Sequence, residues 1–105
     1  MDDTTVTDRI DMLVARAERA LDTLHGASEA LASLQVTRRT EDGNVSVTVD
    51  GSGAMTALEL ASDLRGESAR DLEKAIVELS SDAAREALER RAAIVDRMQS
   101  SLSET

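Results

Sequence analysis

The chain has 105 residues, 41% of them hydrophobic, with no Phe, Tyr or Trp. That allows one small domain with a core of Leu, Val, Ile, Ala and Met, marginal alone and helped by burying a face against a second copy. A net charge of −9, from 21 acids against 12 bases, counts against non-specific nucleic-acid binding. The absence of Cys excludes disulfides, thiolate nucleophiles and zinc–sulfur sites. The N-terminus, Met-Asp-Asp-Thr-Thr, is acidic and lacks the apolar run of a secretory leader. No segment approaches the roughly 18 apolar residues of a membrane span. The expectation is a cytoplasmic protein without membrane contact.

The first element reads as a long helix over residues 5–34. Val6, Ile10, Leu13, Ala17, Ala20, Leu24, Ala27, Leu31 and Leu34 alternate spacings of four and three, a heptad seam for packing on another helix in coiled-coil style. Val14 and Leu21 widen the stripe, while Asp8, Asp11, Arg16, Arg19, Asp22 and Glu29 fall off it. Thr4, Thr5 and Thr7 offer N-cap oxygens. Gly26 costs about 1 kcal/mol against Ala, but the heptad phase is unchanged across it, so one continuous helix is expected. At about 45 Å it is too long for a compact globule of this size, so part of it should project.

The next region reads as β. Residues 35–40 open a strand, and Asp42-Gly43 signals a hairpin turn because the turn needs positive φ. In residues 44–50, Val45, Val47 and Val49 alternate with Ser46, Thr48 and Asp50, giving one buried and one wet face. A second turn at Asp50-Gly51-Ser52-Gly53 leads to a third strand over residues 54–60. The three strands form an antiparallel meander. Ser68 with Asp71 then resembles a capping box opening a second helix over residues 68–101. Its apolar residues Leu72, Ile76, Leu79, Ala83, Ala87, Ile94, Met98 and Leu102 are spaced nearer 3.7 than 3.5, so it is amphipathic but not a strict heptad helix. The whole chain reads as a single α+β domain, residues 1–105.

Catalytic and ligand chemistry is sparse. His25 is the lone histidine and sits beside Gly26 as a bystander; no His-Glu-x-x-His pattern exists. Gly51-Ser52-Gly53 precedes a strand, not a helix, so it reads as a turn and not a nucleotide loop. Glu41-Asp42 reads as a solvated hairpin tip, and no serine has a recognisable base. The expectation is a non-enzyme with no cofactor and no metal. Arginine clusters remain, with Arg85 and Glu89, and Arg90 and Glu86, at ion-pair spacing. No aromatic ring is available to stack on bases, which leaves duplex DNA contacted through phosphates.

The order of these pieces is distinctive. A long helix leads to Leu34-Gln35-Val36-Thr37, a glycine hairpin and Val45-x-Val47-Thr48-Val49-Asp50-Gly51. Leu58-Glu59-Leu60 and an acidic connector then precede a helix bearing Asp82-Ala83-Ala84-Arg85. This resembles the YbaB/EbfC family of small bacterial nucleoid-associated proteins, over residues 8 to 98. The resemblance implies a tweezer-shaped α+β homodimer with the sheets as body and the helices as projecting arms. It also implies duplex DNA as partner, contacted by the arms. Placed on this chain, the arm tips are expected to carry Arg9, Arg16, Arg90, Arg91 and Arg97 as phosphate contacts. The same tips hold Asp2, Asp3, Asp8, Asp11, Glu86, Glu89 and Asp96. Dimer and helix packing is assigned to Ile10, Leu13, Leu24, Leu31, Leu34, Val45, Val47 and Val49.

Two functions follow from this reading. The first is a nucleoid-associated DNA-binding dimer. The second is an acidic cytoplasmic adaptor, of the kind that serves a secretion system, whose arms grip a helix of a protein partner in place of DNA.

Overall fold

A computed structural model describes residues 3–64 and 66–104, with side chains from residue 5. Helix α1 spans Asp3–Ala32, strands β1 Gln35–Arg39, β2 Val45–Asp50 and β3 Met55–Leu60 follow, and helix α2 spans Ala69–Ser103. The fold is α+β, as the periodicities predict. α1 runs unbroken through Gly26 and begins before Thr5 and Thr7, which therefore lie inside the helix and are not caps. Asp2 and the side chains of Asp3 and Thr4 lie outside the described residues. At α2 the cap is as expected: the Ser68 hydroxyl accepts the Asp71 N–H at 3.0 Å.

The three strands form an antiparallel sheet in the order β1-β2-β3. Gly43 (φ +75°) and Gly53 (φ +84°) occupy the positive-φ positions of the two turns. Each turn is tied by an aspartate. Asp42 accepts from the Thr40 hydroxyl at 2.7 Å and the Asn44 N–H at 2.9 Å. Asp50 accepts from the Ser52 hydroxyl at 2.6 Å and from the Ser52 and Ala54 N–H groups at 2.9 and 3.1 Å.

α2 lies across β1 and β2, and α1 packs on α2. Val36, Val47 and Val49 from the sheet meet Ala83 and Ala87 of α2, with Leu79 alongside. The two alanines bring the helix close to the valine face, and each buried valine contributes about 1.5–3 kcal/mol. Leu34 is buried where α1 gives way to β1, and Val45 at the far end of β2.

β3 is not covered. Pairing Val47 with Leu58 and Val45 with Leu60 puts both leucines on the α2 side of the sheet. Yet they are 42% and 46% exposed, because α2 sits over the other two strands. Among the described residues, the outer edge of β3 has no strand beside it. The molecule is a rod of 84 × 19 × 18 Å.

Candidate nucleic-acid interface

The projecting arm is built from α1 and the C-terminal half of α2, running antiparallel. Leu31 and Ala32 meet Arg91 beside the Asp50–Ser52 turn, at the base of the arm. Farther out, Thr23, Gly26 and Ala27 face Ile94, Arg97 and Met98 across an open groove of about 380 Å³. In this register α2 ends near the level of Ala20, and Ala20 and Leu102 are both half-buried. The first part of α1, from Thr5 to about Arg19, therefore projects alone for about 20 Å.

The heptad seam is only partly filled by this packing. Leu31 and Ala27 are half-buried against α2, but Ile10, Leu13 and Leu24 stay exposed within the chain. Apart from Leu31 at the base, the helix face turned to α2 is made of small residues, Ala20, Thr23, Ala27 and Ala30.

The five arginines read from the sequence are not brought to one place. Arg9 and Arg16, two turns apart on one face, line a shallow depression with Met12 and Leu13 at the free end of α1. Arg97 lies midway down the arm and Arg91 at its base, so neither reaches the tip. Arg90 is tied to Glu86 at 3.0 Å. The expectation of a tip position for these three takes α2 to leave the sheet at its N-terminal end. In the structure, the stretch of α2 around Ala83 and Ala87 stays on the sheet and its end falls short.

Ion pairing separates these cations further. Glu86 also faces Arg38 of β1 at 3.7 Å, so one carboxylate is shared by two guanidinium groups. Arg85 pairs with Asp82 and not with Glu89. Arg9, Arg16, Arg91 and Arg97 enter no ion pair among the described residues, which leaves their charges available to an anionic ligand. The Arg38–Glu86 contact was invisible in the sequence, because it joins a strand and a helix far apart in the chain.

The turn carboxylates are structural. Hydrogen bonds, from the Thr40 hydroxyl first and then the Asn44 N–H, hold the Asp42 carboxyl below its usual range. The Ser52 hydroxyl, with the Ser52 and Ala54 N–H groups, does the same for Asp50. Their oxygens are engaged in the turns and are not poised for acid–base work. His25 is exposed, and the described residues contain no group of three or more His, Cys, Asp or Glu that could hold a metal ion. No helix of the described residues is long and apolar enough to cross a membrane.

The chain is a helix–meander–helix fold with a projecting helical arm, along which Arg9, Arg16, Arg91 and Arg97 enter no ion pair among the described residues. Residues 7–102 match the YbaB/EbfC DNA-binding family, and the chain belongs to that family. The family is defined by nucleoid-associated DNA binding and not by an enzymatic activity. No curated protein matches the chain.

Proposed function

We propose that the protein is a homodimer that associates with the bacterial nucleoid in the cytoplasm and contacts duplex DNA through its arms. The observation that carries this reading is the lone α1 tip with Arg9 and Arg16, which enter no ion pair among the described residues, in a chain of a DNA-binding family. Arg97 and Arg91 continue the supply of free cations toward the base, and Arg90 contributes least because Glu86 neutralises it. Contacts of this kind go to phosphates, so they carry affinity and position without reading sequence.

Dimerisation is supported by surface that one copy leaves open. The chain exposes 7646 Å², whereas a compact monomer of its mass exposes about 5,700 Å². β3 offers an apolar strip, Met55, Leu58 and Leu60, along an edge with free backbone donors and acceptors. Open edges of this kind are normally covered or blunted. A second copy over β3 buries the strip and leaves both arms free.

Fluorescence anisotropy with a duplex of mixed sequence at low salt tests the DNA reading. Binding at micromolar protein that weakens steeply as salt rises is the expected result. No binding at tens of micromolar overturns it. Sedimentation tests the dimer: Leu58→Asp should yield monomer, and a wild type that is monomeric at micromolar concentration refutes it.

A further inference from the structure

Beyond DNA binding, and without resting on it, the outer face of α1 has the makings of a second binding surface. Ile10, Val14, Leu21 and Leu24 follow one another at four, seven and three residues, with Ala17 between them. All four large side chains are about half exposed: Ile10 and Val14 lie beyond the end of α2, and at Leu21 and Leu24 α2 packs on a different face of the helix, at Ala20, Thr23 and Ala27. The stripe extends over about four turns. An isolated exposed leucine is ordinary, but an unbroken heptad-spaced stripe is the surface a second helix packs on.

Beside this stripe runs a row of acids. Asp11, Glu18 and Glu29 recur at intervals of seven and eleven, close to two and three whole turns, so they share one face. All three are exposed, and none enters an ion pair among the described residues. Arg9 and Arg16 occupy a different line on the same helix. The arm thus carries an apolar seam with a negative flank.

We propose that this outer face of α1 docks a basic amphipathic helix of a partner protein, apolar on the seam and bearing Lys or Arg along the side that meets Asp11, Glu18 and Glu29. Charge selects this occupant over a second copy of the chain packed antiparallel. Two identical helices packed antiparallel bring like flanks together, which sets acid row against acid row. A basic helix meets the acid row with attraction, and opposite charge fixes register and speeds encounter.

The probe is a labelled synthetic peptide of about three heptads, Leu at the two core positions and Lys at the flanking ones, with a twin carrying Glu in place of Lys. Anisotropy with the full chain should show the Lys peptide binding at least about tenfold more tightly than its Glu twin. That preference should shrink with added salt. Leu21→Ser combined with Leu24→Ser should lower the affinity for the Lys peptide by at least about tenfold. Both leucines are already exposed, so circular dichroism and melting should not change. Equal binding of the two peptides, or unchanged binding by the double variant, overturns the proposal. So does loss of a homodimer in that variant, because a second copy would then be the occupant of the stripe. Leu58→Asp and duplex titration leave this readout untouched, so the DNA reading can fail separately.

Discussion

Gly51 approaches α1 so closely that a Cβ at this position would lie 3.1 Å from the Leu31 carbonyl oxygen and 3.4 Å from the Leu34 side chain. This contact joins the end of the arm helix to the turn between β2 and β3. It sets the point at which the arm leaves the body.

Gly51→Ala should therefore destabilise the fold by about 1–3 kcal/mol, the range for forcing a methyl into a packed site. The obstacle is backbone, which cannot swing aside as a flexible side chain can. Urea unfolding checks it through the midpoint. A variant with an unchanged midpoint would mean that the arm base relaxes freely.

Gly26 is the opposite case. An added Cβ there meets nothing within 4 Å. Gly26→Ala should raise stability by up to about 1 kcal/mol, because only helix propensity changes. The measurement is again the unfolding midpoint, at fixed protein concentration so that any dimer does not confound it.

The Asp50 turn predicts a pH dependence. Its carboxyl titrates below the usual range when folded, so the turn's contribution is complete above the unfolded pKa near 4 and is lost as pH falls through the depressed folded value. Asp50→Ala should lower the melting temperature at neutral pH, and the gap from wild type should close on acidification. Comparing the two proteins cancels the titration of the other carboxylates. A gap that stays constant to below pH 3 on that unfolded-state scale refutes the assignment.

The arginines should divide by position if duplex DNA is the ligand. Arg16→Ala should weaken binding and reduce the salt slope by about 1, the change for losing one phosphate contact. Arg90→Ala should do less, because Glu86 already holds that guanidinium. Anisotropy titrations at several salt concentrations give both slopes, and a larger loss for Arg90→Ala would move the interface from the tip to the base.

The sequence alone determined the element types and the core valines. Val45, Val47 and Val49 declare a strand with one apolar face, and all three are buried, but the face expected to be wet is not wholly so, since Ser46 is buried as well. Ser68 marked the start of α2, because a cap is made by neighbours in the chain. The family resemblance rested on the same local signals. What only the tertiary structure decided was which apolar faces are filled. Heptad spacing shows that Ile10, Leu13 and Leu24 form a seam, but it is silent on where α2 ends. α2 stays on the sheet around Ala83 and Ala87, so its end stops short of the α1 tip and leaves Ile10 and Leu13 uncovered, while Leu24 stays exposed because α2 packs on another face of α1. The same placement pulled Arg90 and Arg91 to the base of the arm, coupled Arg38 to Glu86, and left Leu58 and Leu60 open along β3. Local periodicity records which side of an element is apolar. Which side is covered depends on contacts between residues far apart in the chain, and those exist only once the helices and sheet have packed.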